Sequence, residues 1–141
     1  MKMETKKFPI VVNSYHYDLL QKDDQPSQDV QVAMRAVQPS DDRLKGTEKD
    51  GTYFEIMVPF DVTVANKGFK ISGSISRVVQ VLKYFGEASD LPPEELEKLS
   101  RPLVEYIETL TYQVTSVALN EGVSLNFQAS GEPGDSADDD Q

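Results

Sequence analysis

The sequence predicts an α+β fold, with a four-stranded antiparallel meander sheet and C-terminal helices packed on one face. Two observations lead to this prediction. Strand-like segments with alternating or β-branched residues occupy the chain up to Tyr84, and helix start signals appear only after Asp90. A run of strands followed by a run of helices is typical of layered α+β domains, in which helices cover one side of the sheet. The other side is then expected to face water or a partner.

The first two strands are predicted over residues 8–20 and 28–37. The earlier segment is rich in β-branched and aromatic residues, which favour strands. The later segment alternates, and one of its faces is formed by Val30, Val32, Met34 and Ala36. Polar linkers separate the strands, and the order along the chain predicts a meander in which each strand pairs with the next.

The third strand, Tyr53 to Val64, has the clearest pattern. Its apolar side chains recur at every second position: Phe54, Ile56, Val58, Phe60, Val62 and Val64. Strict alternation indicates a half-buried antiparallel strand. Pro59 lacks the N–H that a ladder needs, so it predicts an edge strand or a bulge.

The fourth strand follows a short hairpin connection at Asn66-Lys67-Gly68, where Gly68 can adopt a positive φ. It is predicted from Phe69 to Tyr84. Its alternation changes phase near Arg77, and this change predicts a bulge in a long strand.

A first, short helix is predicted after the sheet. Asp90 suits an N-cap, Pro92 and Pro93 suit the first helical positions, and Glu94-Glu95 are acids where the helix dipole favours them.

A second helix is predicted from about Ser100 to Asn120, with Pro102 tolerated in its first turn and Gly122 expected just beyond its end. Its apolar residues follow a four-three spacing that resembles a coiled-coil seam: Leu103, Ile107, Leu110, Val114 and Val117. The helices carry further apolar residues outside this seam, so they need more than one partner surface. A homo-oligomer, dimer or tetramer, is expected, with an interface at Leu103, Ile107, Leu110 and Val114.

Two further surfaces are candidates for binding a partner. Aromatic residues near the junction of sheet and helices could line a groove, with core packing as the alternative for each: Tyr84, Phe85, Tyr106 and Tyr112. On the uncovered face of the sheet, Glu55 and Asp61 share one side of the third strand and are expected to be accessible.

The 141 residues fit one domain, predicted over 8–128, between a flexible N-terminus at 1–7 and a disordered acidic tail at 129–141. The last residues contain no base and no large apolar side chain, and their five acids are Glu132, Asp135, Asp138, Asp139 and Asp140. Such a segment buries too little apolar surface to offset the entropy of ordering it. It is interpreted as a solubilising end, with a docking peptide as the alternative.

The formal net charge of −10 argues against nucleic acid as a partner, because phosphate contacts need clustered lysine and arginine. It also argues against attachment to anionic lipid. No apolar run approaches the ~20 residues of a membrane span, so no direct membrane insertion is expected. With no cysteine and no secretory leader pattern, the expected location is cytoplasmic.

The sequence contains few residues suited to catalysis. His16 is the only histidine and there is no cysteine, so a zinc site cannot be assembled, and paired acids such as Asp23-Asp24 lack EF-hand spacing. No glycine-rich phosphate loop or nucleophile elbow occurs. No metal, cofactor or catalytic residue is predicted, and the chain is not expected to be an enzyme. A reaction centred on His16 is the remote alternative.

Three short motifs in the second half resemble the export chaperone SecB and its relatives, in particular a SecB-like branch from Gram-positive bacteria. They are LPPEELEKL at 91–99, RPLVEYI at 101–107 and LNF at 125–127. The order of elements over residues 8–127 adds to the resemblance.

The resemblance implies a cytoplasmic homotetramer, built as a dimer of dimers with helices between two sheets. It implies a holdase that keeps non-native polypeptides in apolar grooves without ATP and, in well-studied members, passes them to the SecA motor. By position, Glu55 and Asp61 resemble the acidic surface that meets SecA, and the four aromatic residues resemble the groove lining. The alternative function is an adaptor with one dedicated partner and no chaperone activity.

Deleting Ser130 to Gln141 is expected to leave a homo-oligomer intact, because these residues have no large apolar side chain with which to join copies. Ile107→Asp is expected to break the oligomer, because it places a charge in the apolar seam. Size-exclusion chromatography with light scattering measures the mass of each variant. Dissociation of the truncated chain alone would contradict the interpretation of the tail.

Overall fold

The computed structural model describes residues 3–39 and 42–127. The predicted acidic tail at 129–141 lies outside the described residues. Within the segment predicted as a flexible N-terminus, Thr5–Lys7 forms a strand, β1. It forms because the far end of the last strand offers backbone partners, with Thr5 opposite Val81 and Lys7 opposite Val79.

A single antiparallel sheet contains all the strands. Their bounds are β1 (Thr5–Lys7), β2 (Val11–Leu19), β3 (Ser27–Val30), β4 (Ala33–Val37), β5 (Gly51–Val64) and β6 (Phe69–Leu82). β5 and β6 pair along all 14 residues of each strand. β1 and β2 both lie along the free side of β6, and β3 and β4 lie along the free side of β5. The sheet therefore has the four predicted strand positions, with each outer position interrupted.

The strand order corrects the predicted meander. β2 pairs with β6, the last strand, and not with β3, the next one. The chain crosses between the two edges past the β5–β6 hairpin, where the Leu20 N–H donates to the Gly68 carbonyl at 3.0 Å. Three successive strands with a fourth placed beside the last form a Greek key. Periodicity identifies strands but does not choose their neighbours, so the sequence did not predict this order.

The phase change in β6 does not mark a bulge in that strand, because β6 pairs with β5 without a register shift. Gln80 is fully buried on the face away from the core, under the loop that precedes β5. Its side-chain amide donates to the carbonyls of Thr47 at 2.9 Å and Gly51 at 3.0 Å. Burial on both faces therefore explains the altered pattern. The register shift lies in β2, between Val12 and Ser14.

Pro59 lies in the interior of the sheet, in β5, and not in an edge strand as predicted. Its carbonyl accepts the Gln31 N–H at 3.1 Å. Within a strand, the N and O of one residue point to the same side, so the missing N–H of Pro59 faces this same neighbour. The outer strand is interrupted here, between Val30 and Ala33. The proline therefore leaves the β5–β6 ladder complete.

One continuous helix, α1 (Pro93–Ala118), replaces the two predicted helices, and Pro102 lies inside it. An interior proline costs about 3 kcal/mol. However, Leu99, Leu103 and Ile107 are all buried on the same side of the helix, before and after the proline. Each buried Leu or Ile contributes about 1.5–3 kcal/mol. Continuous packing on the sheet therefore outweighs the proline.

The structure confirms the α+β class, with α1 packed on one face of the sheet. Alternate residues of β5 and β6 form the core with α1, and the largest contributions come from Phe54, Ile56, Val58, Phe60, Phe69, Ile71, Ile75, Val79, Leu103 and Ile107. A hydrogen bond of 3.0 Å between the hydroxyls of Tyr15 and Thr111 links β2 to the helix.

Gly73 lies where β6 approaches β2 too closely for a side chain. A Cβ there would collide with the carbonyl group of Ser14 and would meet the Phe60 ring at 3.1 Å. Gly73→Ala is expected to lower the free energy of unfolding by more than ~2 kcal/mol, because two paired strands would have to separate. Urea denaturation measures this change. Ser74→Ala is the matched control, with an expected change within ~0.5 kcal/mol, and equal stability of the two variants would contradict the close approach.

Candidate functional site

Most of the buried positions of α1 repeat every four residues. The buried helix positions at this spacing are Glu95, Leu99, Leu103, Ile107, Thr111 and Thr115. An α-helix turns about 100° per residue, so each step of four moves the contact about 40° around the helix. The line of buried positions therefore rotates along α1, and near its C-terminal end it consists of Thr111 and Thr115.

The apolar seam of α1 does not follow this rotation, and its C-terminal half is only partly covered. Leu110 and Val114 are partly exposed, Val117 is 81% exposed and Tyr106 is 43% exposed. Residues three or four apart share one side of a helix. These four residues, Tyr106, Leu110, Val114 and Val117, are called the helix stripe below.

Only two of the four residues predicted for the oligomer interface lie on the helix stripe. Leu103 and Ile107 are fully buried against the β5–β6 hairpin within one subunit, so they cannot also contact a second copy. Ile107→Asp would therefore place a charge in the subunit core and would test folding, not assembly. Leu110 and Val114 lie on the stripe and stay candidates for an interface.

The structure does not bring the four predicted groove aromatics together. Tyr84 packs on Phe54, with ring centroids 6.1 Å apart. Phe85 is exposed and lines a separate cavity of about 450 Å³ at one end of the sheet. Tyr106 belongs to the helix stripe, and Tyr112 is about 120° away around the helix. A single groove is therefore not formed by these rings within one subunit, because two of them follow the end of β6 while helical phase separates the other two.

Glu55 and Asp61 lie on the face of the sheet away from α1, in different surroundings. A Glu55 carboxylate oxygen accepts hydrogen bonds from Nε and Nη2 of Arg35 at 2.9 and 2.8 Å, beside a cavity of about 570 Å³. Asp61 is exposed and directly opposes Asp29 of β3. Because Arg35 neutralises Glu55, the acidic character of this face is concentrated at Asp29 and Asp61.

His16 lies in a cross-strand row with Ser72, Asp61 and Asp29. Ser72 stands between His16 and Asp61, whose backbones are two strand spacings apart, about 10 Å. This separation exceeds hydrogen-bonding reach for directly opposed side chains. Within residues 3–39 and 42–127, no three His, Asp or Glu side chains are grouped as metal ligands.

After α1 the chain reverses direction and lies extended along the helix. The reversal occurs at Asn120, which adopts a left-handed φ of 59° in place of the predicted Gly122. Asparagine tolerates this conformation better than most residues. Residues 120–127 are called the C-terminal strap below.

The strap is held by helix side chains and pairs with no strand among the described residues. The Val123 N–H donates to Thr115 Oγ1 and the Phe127 N–H donates to Glu108 Oε2, each at 2.8 Å. Val123 and Phe127 are only 7% and 5% exposed. The sequence indicated an extended piece at 125–127. However, two side chains that accept backbone N–H groups, seven residues apart on a helix, leave no recognisable pattern in the sequence. Sequence reasoning therefore missed Glu108 and Thr115.

Burial raises the pKa of Glu108 above its ordinary value of 4.5, although the Phe127 N–H opposes this shift. A raised folded-state pKa means that the stability contributed by Glu108 is present below pH 4.5 and is lost as the pH rises through the raised pKa. Glu108→Gln keeps an oxygen acceptor and removes the charge. The variant is therefore expected to gain stability over the wild type as the pH rises above 4.5.

Urea denaturation at several pH values measures this gain, with Glu94→Gln, at an exposed position of α1 far from Glu108, as the control. A difference between Glu108→Gln and wild type that does not change with pH would contradict the assignment.

Solved structures show what this fold is similar to. A protein of unknown function from Streptococcus agalactiae, known from its crystal structure, has a TM-score of 0.76 at 28% identity, over 90% of this chain and 100% of that one. A SecB-like chaperone from Mycobacterium tuberculosis, in complex with a ChAD peptide from the HigA1 antitoxin, has a TM-score of 0.53 at 13% identity, over 89% of this chain and 88% of that one. The chain therefore has a SecB-like fold.

None of the curated proteins matches this sequence. No helix in the described part of the chain combines the length and the apolar content that crossing a membrane requires. The family described as "Protein of unknown function (DUF1149)" matches residues 3–127. That match covers most of the sequence, and the chain belongs to this family.

Proposed function

We propose that this protein is a SecB-like, ATP-independent chaperone of the cytoplasm that binds non-native polypeptides and catalyses no reaction. The observation that carries the proposal is the helix stripe, in which Tyr106 and Val117 are exposed and Leu110 and Val114 are partly exposed. Contiguous exposed apolar surface of this kind marks contact sites for other chains. The SecB-like fold supports the proposal, as does the complex of a chaperone of that fold with a peptide.

The composition of the helix stripe suits partners without a fixed surface. Its members are a tyrosine, a leucine and two valines, so they bind through burial of apolar area, which is not directional. A client therefore needs only exposed apolar side chains. The net charge of −10 would keep a loaded complex soluble and would favour basic or weakly charged clients.

We also propose that copies of the chain associate as a dimer or tetramer through Leu110 and Val114. Most homo-oligomers are closed and symmetric, so the same patch on two subunits can cover itself. Self-association would reduce the apolar area exposed to water when no client is bound. Export is one setting for such a chaperone, and Asp29 with Asp61 is then the candidate contact for the SecA motor.

Val117→Asp should weaken the ability of the protein to suppress aggregation of several unrelated, reduced and unfolded proteins. Losing the burial of one valine at the contact is expected to raise the amount of chaperone needed by about tenfold. Light scattering of the unfolded proteins at stoichiometric chaperone concentrations is the measurement. Thr109→Asp is the matched control, because it adds the same charge to an exposed position of α1 outside the stripe. A wild-type chain that protects none of these proteins would refute the chaperone function.

An adaptor with one dedicated partner is the second candidate. The observation that favours it is the flat acidic pair Asp29 and Asp61, which the chaperone mechanism itself does not require. An adaptor would recover a single folded protein in a pull-down and would lose it in Asp61→Asn, while failing to suppress aggregation. A chaperone would show the opposite pattern.

A further inference from the structure

We propose that the C-terminal strap occupies the site at which α1 binds an extended, apolar segment of another polypeptide. The strap is then a built-in competitor that a client displaces. This inference deepens the proposed function and rests on it, because it assumes that the natural ligand is a polypeptide.

The first reason is that α1 recognises the backbone of the strap. Thr115 and Glu108 accept the N–H groups of Val123 and Phe127, so oxygen atoms of helix side chains replace the carbonyls of a neighbouring strand. The two acceptors are two helical turns apart, about 10.5 Å, and four residues of extended chain span about 13 Å. Backbone N–H groups are present in every polypeptide other than at proline, so these contacts do not depend on the sequence of the strap.

The second reason is the alternation of the strap side chains. Ser124 and Asn126 point to solvent, whereas Val123 and Phe127 are buried in the core cluster and Leu125 is partly buried against it. The site therefore selects large apolar residues four positions apart and leaves the intervening residues free. An unfolded segment that exposes such residues meets these requirements in an extended conformation.

The third reason is that the strap lacks the attachments of a strand. Apart from its two hydrogen bonds to helix side chains, the Glu121 N–H donates to the Thr115 carbonyl at 3.4 Å, and Lys67 and Glu121 form an ion pair whose side chains are 39% and 65% exposed. Exposed ion pairs contribute little, and a segment outside the sheet has no ladder to hold it. A competing segment can therefore replace each contact of the strap with an equivalent contact of its own.

The strap site is distinct from the helix stripe. Glu108 and Leu110 are two positions apart, which places their side chains about 160° apart around the helix. The charges around Glu108 are Glu105 and Arg101, and Lys67 pairs with Glu121 of the strap, so acids and bases balance at this site. Clients are therefore expected to be selected here by their apolar residues more than by their charge.

The test uses full-length chains and a dye-labelled peptide with the sequence of residues 121–130, EGVSLNFQAS, as the probe. Phe127→Ser removes the larger apolar anchor of the strap, and Asn126→Ser changes an exposed neighbour and serves as the matched control. Fluorescence anisotropy is expected to show that Phe127→Ser binds the probe about tenfold to a hundredfold more tightly than the wild type and the control do. A probe with serine at both apolar positions should not bind.

A second arm does not depend on weakening the core. The chain has no cysteine, so Ser116→Cys with Gly122→Cys introduces one disulfide between α1 and the start of the strap. A Cβ at position 122 lies 2.7 Å from Ser116 Oγ, which is close enough for such a bond once the exposed Tyr112 ring moves aside. The oxidised form is expected to bind the probe, and to suppress aggregation, at least about tenfold less well than the same protein after reduction.

The outcomes separate this inference from the proposed function. Equal binding and equal protection by the oxidised and reduced forms would overturn the competitor role, whatever happens to the folding of Phe127→Ser. A different result is also informative: Phe127→Ser binds the probe tightly, but no variant protects unfolded proteins. This result would support the strap site and contradict the chaperone function. A folded Phe127→Ser that fails to bind the probe would show that the strap is a part of the core and nothing more.

Discussion

The surface of this protein depends on how α1 meets the β5–β6 hairpin. The buried positions recur every four residues, from Glu95 to Thr115, whereas an α-helix turns once every 3.6 residues. The buried positions therefore move gradually around the helix. The residues of the apolar seam, which are spaced alternately by four and three, stay on one side of it. Leu103 and Ile107 are therefore buried in the core, while Leu110 and Val114 of the same seam are partly exposed and Val117 is exposed.

The rotation also produces two unlike flanks on one helix. One flank carries the helix stripe, which is apolar and partly exposed. The other carries Glu108 and Thr115, whose oxygens accept backbone N–H groups of the strap. Apolar burial and backbone hydrogen bonding are the two ways of binding a chain without reading its sequence, because the first is non-directional and the second uses groups common to every residue. A helix that provides both suits partners defined by being unfolded.

The opposite face of the sheet has a different physical character. Near Glu55, the ion pair with Arg35 cancels the charge beside a cavity that both apolar and polar residues line. Near Asp61, the facing Asp29 doubles the charge on a flat and exposed surface. Like charges opposed across two strands reduce the stability of the sheet slightly. A basic partner would relieve this repulsion, which favours Asp61 as a contact for such a partner. The same reasoning does not apply to Glu55, because Arg35 already neutralises it.

The sequence by itself determined the elements that depend on local periodicity. Phe54 to Val64 alternated and became a strand, and the seam from Leu103 onward became helical. It could not determine the pairing of β2 with β6, the placement of Pro59 in an inner strand or the union of two predicted helices across Pro102, because each depends on contacts between distant residues.

The candidate site was also predicted in part from the sequence and in part decided by the tertiary structure. Leu110 and Val114 were identified from their spacing, but only the tertiary structure separated them from Leu103 and Ile107 and brought the strap to Glu108 and Thr115. Spacing records which side chains share a side of a helix, whereas the crossing of helix and sheet decides which part of that side is covered.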